Sequence, residues 1–333
     1  MLEVINLRLL FFTDTHIRGT SPKNRKDDFV ETLEEKLYEI SWIIDHHNID
    51  FVLHGGDLFD RPDVSVSIVS RFAKILNKIS VPIYMISGNH DIYGHNPKTI
   101  NRTMMGLLKE LDILNIINKD EKVLLKKDGI QVQLTGQPYV YNIDESVNKN
   151  YYIVNNVVDS ADYSIHLVHG MLLDRPFIKG VSYTLIDDIK TTLADITLAG
   201  HYHSGFNEVE IDGKYFLNPG SIVRISNSLQ ELKRKPKVII IDLNEEINIS
   251  YIHLKTAKEG KLILDRREIE NNIYKRERLY EFKHTIDATL DFEKMNINDV
   301  LIKVSNTEGI EEAVKEEALR RIANIQMNQL EDK

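Results

Sequence analysis

Short apolar runs alternate with amphipathic segments along the first third of the chain. Residues 9–12, 51–54 and 82–86 are runs of strand length that suit strands buried on both faces. Residues 28–46 and 65–79 show helical spacing between them. The first helix has one apolar stripe, formed by Phe29, Leu33, Leu37, Ile40 and Ile44. This order predicts parallel strands joined by crossover helices.

The next part of the chain changes from this alternation to a succession of strands. After a helix at residues 104–111, strands are predicted at residues 123–126, 130–135, 163–168, 195–199, 237–243 and 247–254. Asp212-Gly213 marks a tight hairpin between two further strands within residues 208–217. The predicted fold class is α/β, with a two-sheet β-sandwich core flanked by helices.

The last part of the chain differs from the rest in composition. After Thr256 the charge rises, glycine becomes rare and no cluster of metal-ligating residues occurs. We predict a main domain over residues 1–256 and a small α+β cap over residues 257–333 whose role is contact and not catalysis. A strand is predicted at residues 300–304 and a helix at residues 310–325. The apolar stripe of that helix is Ile310, Val314, Ala318, Ile322 and Ile325. It either docks a partner or packs on its own cap.

Five short motifs follow the apolar runs in a fixed order. They are Asp14-Thr15-His16, Gly56-Asp57, Gly88-Asn89-His90-Asp91, His169-Gly170 and Gly200-His201-Tyr202-His203. Each closes a predicted strand, and open α/β sheets bind their ligands at the carboxyl ends of the strands. One such motif alone would mean little, but the whole series indicates a two-metal hydrolase centre.

The motifs supply seven candidate metal ligands: Asp14, His16, Asp57, Asn89, His169, His201 and His203. Asp57 is suited to bridge two metals, because a carboxylate has two oxygens. The set contains two carboxylates, four imidazoles and one amide, which suits manganese, iron or zinc better than magnesium or calcium. We expect two divalent ions, and the ligand types alone do not select among these three metals.

Four residues near the ligands are candidates for catalysis or for contact with the substrate. His90 is the expected general acid and Asp91 is expected to orient its imidazole. In the alternative interpretation, His90 is a further ligand or a packing residue. Arg61 is a candidate for a contact with a phosphate oxygen, or else a structural ion pair. Arg18 opens a basic cluster that directly follows the first motif.

Composition narrows the classes of protein that remain. The chain has 333 residues, no cysteine and a formal net charge of −9. Without cysteine there are no disulfides and no thiolate chemistry, and no apolar stretch is long enough to span a membrane. We expect a cytoplasmic protein. The acidic balance counts against a surface built mainly to grip nucleic acid, although local basic clusters occur.

The five motifs together resemble the calcineurin-like metallophosphoesterase superfamily, and the resemblance covers roughly residues 8–245. It implies that one metal is held by Asp14, His16, Asp57 and His203. It implies that the other is held by Asp57, Asn89, His169 and His201, with His90 as the acid.

Three further segments are similar to SbcD-type DNA-repair nucleases: residues 55–65, residues 169–172 and residues 218–224. This resemblance implies manganese-dependent exonuclease and endonuclease activity on single- or double-stranded DNA ends, in DNA repair or recombination. It also implies a coiled-coil ATPase partner of the SMC type and a C-terminal cap that contacts DNA or the partner. The cap offers no clear match to the partner-binding segment of that family. A homodimer is left open.

We therefore expect a phosphodiesterase in which a metal-bridging hydroxide attacks phosphorus in line while His90 protonates the leaving oxygen. Two alternatives remain. A phosphodiesterase or phosphatase for cyclic nucleotides or nucleotides would keep the chemistry and change the substrate, and the acidic charge favours it. A DNA-end binding protein with structural metals would bind DNA and cleave nothing.

Overall fold

The computed structural model describes residues 6–288, 301–302, 304–306 and 310–331. The chain divides into two compact units between Arg266 and Arg267. The predicted boundary after Thr256 remains a prediction, whereas the structure keeps residues 257–266 with the first unit. Backbone hydrogen bonds hold this segment there, because Lys26 donates to the carbonyl of Ile263 and Asp265 donates to that of Asn24.

Two mixed sheets of six strands form the first unit, which confirms the predicted fold class. The first sheet has the order β14-β13-β1-β2-β3-β4 and the second β11-β12-β10-β7-β6-β5. The strands of the first sheet are β1 (Leu7–Phe12), β2 (Phe51–His54), β3 (Ile83–Met85), β4 (Asn115–Ile116), β13 (Lys237–Leu243) and β14 (Ile247–His253). Those of the second are β5 (Lys122–Lys127), β6 (Ile130–Gln137), β7 (Tyr163–Gly170), β10 (Ile196–His201), β11 (Phe206–Ile211) and β12 (Lys214–Asn218). A separate short pair is β8 (Leu172–Leu173) and β9 (Thr184–Leu185).

Strand directions follow from the connections. Strands β1 to β4 run parallel, as the helical crossovers require, and β13 returns antiparallel to β1. The second sheet is parallel in its centre, over β6, β7, β10 and β12, and antiparallel at its two edges. The predicted hairpin is confirmed as β11 and β12, which are joined at Asp212-Gly213.

The helices of the first unit are α1 (Phe29–His46), α2 (Val66–Leu76), α3 (Met104–Glu110), α4 (Ile186–Ile189), α5 (Leu229–Lys233) and α6 (Gly260–Ile263). Short 3₁₀ turns lie at Tyr93–His95, Pro97–Arg102 and Ser146–Tyr152. Helix α1 begins where the sequence predicts, because the Asp28 carboxylate accepts hydrogen bonds from the backbone N–H groups of Val30 and Glu31.

Side-chain alternation along β1 explains how the layers hold together. Leu7, Leu9 and Phe11 face the second sheet and pack against residues such as Leu134 and Leu198, whereas Leu10 and Phe12 pack under the helices. Every one of these side chains is at most 1% exposed. The two sheets therefore share one apolar interior, and the site at their common edge rests on a rigid base.

The second unit contains α7 (Arg267–Ala288) and α8 (Glu312–Glu331). Helix α8 confirms the predicted C-terminal helix, although Ile310 precedes it. The predicted strand at residues 300–304 is wrong for its described residues, because 301–302 and 304–306 are helical. The Ser305 hydroxyl donates to the carbonyl of Leu301, one helical turn earlier. Among the described helices, none has the length and apolarity that crossing a bilayer requires.

One charged side chain in the core was not predicted. Lys36 lies on the buried face of α1 with 1% exposure, in the stripe that otherwise holds Leu33, Leu37 and Ile40. Burial lowers the pKa of its ammonium to about 7, and the nearby guanidinium of Arg25 acts in the same direction. The folded protein therefore favours the neutral amine.

We expect Lys36→Met to stabilise the protein and to remove a pH dependence. The pKa in the fold is below that in the unfolded chain, so the unfolded chain binds more protons between pH 7 and 10.5, and stability rises with pH across that window. At roughly 1.4 kcal/mol per pKa unit, the penalty below pH 7 amounts to a few kcal/mol. The free energy of unfolding in urea, measured from pH 6 to pH 10, gives the size of this penalty.

Lys74→Met is the matched control, because Lys74 is exposed on α2. The difference in unfolding free energy between wild type and Lys36→Met should shrink as pH rises, while Lys74→Met should track the wild type. A Lys36→Met protein less stable than the wild type at pH 6 would contradict the prediction.

Candidate metal centre

The ends of strands from both sheets supply the predicted ligands. Strands β1, β2 and β3 lead into the loops that carry Asp14, His16, Asp57 and Asn89. Strands β7 and β10 of the other sheet end with His169-Gly170 and at His201. The structure therefore brings all seven predicted ligands to one edge of the sandwich. Only the packing of the two sheets assembles the complete set.

Four of these residues have a strained backbone. Asp14, His16, Asp57 and His201 adopt positive φ angles of 54°, 48°, 54° and 79°, which side chains other than glycine rarely take. Such strain costs about 1–3 kcal/mol per residue and persists only where the surroundings enforce it. Here the N–H groups of Asp14 and His16 donate to the carbonyls of Gly56 and Asp57. These hydrogen bonds fix the two loops against each other.

One donor group consists of Asp14, His16, Asp57 and His203, whose ligand atoms lie within 4.8 Å of one another. The Nε2 atoms of His16 and His203 are 3.0 Å apart. The Oδ1 of Asp14 is 3.5 Å from His203 Nε2, and the Oδ2 of Asp57 is 3.7 Å from His16 Nε2. This is the first set that the resemblance implies.

A second donor group combines Asp57, His169 and His201. His169 Nε2 is 3.3 Å from the Oδ2 of Asp57 and 3.2 Å from the amide oxygen of Asn89. The Nδ1–H of His169 donates to the carbonyl of Gly55 at 2.7 Å, which fixes the tautomer and leaves Nε2 for a ligand bond. This is the second implied set.

Asp57 belongs to both groups, and its electrostatics reflect that position. Burial alone would raise the pKa of its carboxyl, but the neighbouring His169 imidazole holds it well below its usual range. Burial alone would lower the pKa of His169, and Asp57 instead raises it to about 9. The pair therefore forms a buried ion pair, and binding of a cation at His169 would release a proton.

The other donors are held in forms that suit a cation. Burial lowers the pKa of His16 well below its usual range and that of His201 to about 3, so both imidazoles stay neutral. Burial raises the pKa of Asp14, and His203 opposes that rise. Neutral imidazoles around buried carboxylates fit divalent cations, because positive charge offsets the desolvation of the carboxylates.

Two glycines let the loops come close. A Cβ atom at Gly88 would lie 2.0 Å from the Oδ1 of Asp57, and one at Gly56 would lie 2.5 Å from His169 Nδ1. Gly56 also has a φ of 98°. Any side chain at Gly88 would push the Asn89 loop away from the bridging carboxylate.

His90 and Asp91 lie beside the ligands but do not contact each other as predicted. The Nδ1–H of His90 donates to the backbone carbonyl of Asp60 at 2.8 Å, while its backbone N–H donates to Asp57. The Asp91 carboxylate instead accepts from the backbone N–H groups of Leu58, Phe59 and Gly88. Asp91 thus joins two site loops, and the prediction that it orients His90 is wrong.

The two arginines form ion pairs. Arg18 Nη1 lies 3.2 Å from the carboxylate of Asp60, whose other oxygen faces His16 Nδ1 at 3.8 Å. Arg61 pairs with Asp63 at 3.3 Å, and its side chain is 66% exposed. Arg18 therefore acts on the site through Asp60, whereas Arg61 lies at the surface.

Sequence reasoning missed three residues that support the site. The Ser221 hydroxyl donates to the carbonyl of Asp14, and the Thr13 hydroxyl donates to the Asp14 carboxylate. The ring of Tyr139 lies 5.7 Å from that of His201 and 6.2 Å from that of His169. Ser221 lies in the segment 218–224 that resembles the nucleases, so that motif was a usable signal; Tyr139 had none.

Comparison with known proteins agrees with this geometry. The model of the family described as calcineurin-like phosphoesterase matches residues 7–205. Over 258 residues the chain is 24% identical to the DNA double-strand break repair protein Mre11 of Thermoplasma acidophilum, which is 75% of this chain and 66% of that protein. About a third of that relative therefore lies outside the match.

Two further similarities extend the comparison. The SbcD component of the nuclease SbcCD from Staphylococcus epidermidis is 22% identical, over 83% of this chain and 80% of that protein. The solved structure of GAP50, the anchor in the inner membrane complex of Plasmodium, covers 76% of this chain and 86% of its own, with 14% identity and a TM-score of 0.50. At that identity the likeness concerns the fold alone.

We expect Gly88→Ala to weaken metal binding by at least about tenfold, because the new methyl group cannot fit beside Asp57 and the Asn89 loop must move. Metal content by mass spectrometry after dialysis against limiting Mn²⁺ measures the effect.

Gly129→Ala is the control, since nothing lies within 4 Å of a Cβ there although its φ is 91°. That variant should lose some stability and keep its metal. Equal metal content in all three proteins would show that the close approach at Gly88 does not matter.

Proposed function

Because this chain belongs to the calcineurin-like phosphoesterase family, we propose that it is a two-metal phosphodiesterase that cleaves DNA in repair or recombination. The observation that carries the proposal is the meeting of two donor groups at one buried carboxylate, that of Asp57. DNA as substrate rests on the names of the relatives, which are a DNA double-strand break repair protein and a nuclease component.

In this proposal, some residues of the chain hold the metals and another donates the proton. Two divalent cations, when bound, would polarise the phosphate and activate a water. We assign one to Asp14, His16, Asp57 and His203, and the other to Asp57, Asn89, His169 and His201. The donors suit manganese, iron or zinc, and we propose Mn²⁺ because the chain resembles SbcD-type nucleases, for which the resemblance implies manganese dependence.

His90 is the proton donor in this proposal. Its Nδ1–H is engaged by the carbonyl of Asp60, so Nε2 is the nitrogen that can give a proton to the leaving oxygen. The carboxylate of Asp60 forms an ion pair with the Arg18 guanidinium, and this pair holds the Asp60 loop in place.

A second function follows from the net charge of −9. An acidic protein attracts DNA weakly, because phosphate binding depends on Lys and Arg. A small phosphodiester such as a cyclic nucleotide needs only the site itself. Turnover of a cyclic nucleotide far above the rate of DNA cleavage would favour this alternative.

His90→Asn should reduce DNA cleavage by about 10²–10⁴-fold while metal content stays at the wild-type level, because the proton donor is lost and the proposed ligands remain. The assay uses end-labelled single- and double-stranded DNA with Mn²⁺, together with mass-spectrometric metal analysis.

Loss of metal in His90→Asn would reassign His90 as a ligand. Full cleavage by the variant would remove it from the mechanism. Hydrolysis of a cyclic nucleotide by a wild type that leaves DNA intact would support the small-molecule function instead.

We further propose that α8 docks a coiled-coil ATPase partner of the SMC type. Val314 is 56% exposed and Ile310 41% exposed, so part of the predicted stripe is open to solvent. A homodimer is compatible with this arrangement. No motif in the cap supports this docking, because its sequence offers no clear match to a partner-binding segment. The proposal therefore rests on the resemblance of the main domain to SbcD-type nucleases.

Val314→Glu should weaken copurification of such an ATPase by at least about tenfold without lowering the melting temperature, because a charge enters an apolar contact. Val147→Glu, at another exposed valine, is the control. A lowered melting temperature with the ATPase retained would show that Val314 packs within its own unit.

A further inference from the structure

A row of aromatic rings leads outward from the second donor group. Tyr139 contacts the rings of His169 and His201 at centroid distances of 6.2 Å and 5.7 Å. His95 lies 5.3 Å from Tyr139, and Tyr141 lies 6.4 Å from His95. We call Tyr139, His95 and Tyr141 the aromatic row.

The outer end of the row is open to solvent. Tyr141 is 71% exposed and His95 is also exposed, while Tyr139 is half-buried. In the described part of the chain, the ring of Tyr141 contacts the ring of His95. A large ring held against one neighbour and otherwise in water leaves an apolar face for a ligand.

The local backbone holds the row in place. His95 has a φ of 57°, a strained conformation that turns its ring toward Tyr139. The turn is closed by the backbone N–H of Asn96, which donates to the carbonyl of Tyr93. The backbone N–H of Tyr139 donates to the carbonyl of Ser87, one residue before Gly88. The row is therefore tied to the loop that carries Asn89.

Lysines lie on the other side of the same segment. A cavity of about 600 Å³ between residues 96–101 and 137–140 is lined by Lys98, Lys109 and Lys119. Cations beside stacking rings are the combination that binds single-stranded nucleic acid, with the rings taking bases and the cations taking phosphates. Lys109 also pairs with Glu110 at 3.6 Å, and the Lys119 ammonium lies 4.7 Å from the centre of the Tyr151 ring.

We propose that the aromatic row is the subsite for the two bases next to the scissile phosphate, and that the lysine cavity holds the phosphates beyond them. The proposal rests on the proposed DNA cleavage and names where the substrate strand lies. A phosphate at the second donor group places its neighbouring base beside Tyr139, since this ring contacts both His169 and His201. The next base outward meets His95 and Tyr141.

The test pairs a protein change with a substrate change. Labelled single-stranded oligonucleotides carry one abasic nucleotide at the second position from the scissile phosphate, on one side or the other, and kcat/KM is compared with that of the intact oligonucleotide. In the wild type, we expect removal of one of these bases to lower kcat/KM roughly 5- to 150-fold, the range that stacking on an aromatic ring supplies.

In the double variant His95→Ala/Tyr141→Ala, removal of that base should change kcat/KM by less than about twofold, because the stacking partner is already absent. Tyr141→Phe should restore most of the wild-type dependence, since phenylalanine keeps the ring. Tyr38→Ala, an exposed tyrosine on α1, is the control and should respond to the abasic nucleotide as the wild type does.

The outcomes separate the two proposals. A wild type that cleaves DNA with the same dependence on the base as the double variant would overturn the subsite alone. A wild type that neither cleaves the oligonucleotide nor binds it, by fluorescence anisotropy with Mn²⁺, would overturn both. The double variant could also cleave more slowly and still depend on the base as the wild type does. That result would show that His95 and Tyr141 support the fold and do not contact the substrate, and it would overturn the subsite.

Discussion

The carboxylate of Asp57 is removed from water and yet stays ionised, and this requirement shapes the surrounding structure. Its side chain is 1% exposed, so its charge must be offset by donors and by cations rather than by solvent. The backbone N–H of His90 and the imidazole of His169 provide part of that compensation. The remaining need for positive charge fits a bound cation, which the neutral imidazoles from both sheets would help to hold.

The approach to that carboxylate requires strained loops. Asp14, His16 and Asp57 would each be more relaxed elsewhere in φ, and the two loops that hold them are joined by backbone hydrogen bonds. Asp91 fulfils the same purpose, because its buried carboxylate gathers backbone N–H groups from the Asp57 and Gly88 loops. The rigidity of the sandwich therefore serves to hold costly loop conformations in place.

The sequence predicted the strand ends, and the structure brings the predicted ligands together, because apolar runs and motif spacing are local signals. It failed where the partner lies far along the chain. Asp91 is adjacent to His90 in sequence, but its partners Leu58 and Phe59 lie more than 30 positions away. Tyr139 follows β6 without any motif, and the pairing of β6, β7 and β10 within the second sheet brings it near His201.

Residue type alone also did not reveal that Lys36 is buried or that the chain near residue 301 is helical. Lys36 lies in the apolar stripe of α1, where the helix geometry leaves it no route to solvent. Leu301, Ile302 and Val304 are apolar enough for a strand, yet they are helical, and context overrides a weak β preference there.

The position of β1 in the first sheet has a consequence for biosynthesis. Its neighbour β13 spans Lys237–Leu243, so one edge of β1 stays unpaired until the whole intervening chain has left the ribosome. An apolar strand with a free edge is prone to pair with other chains. The nascent protein therefore has a long interval of exposure to aggregation, during which a chaperone that shields residues 7–12 would raise the yield of folded protein.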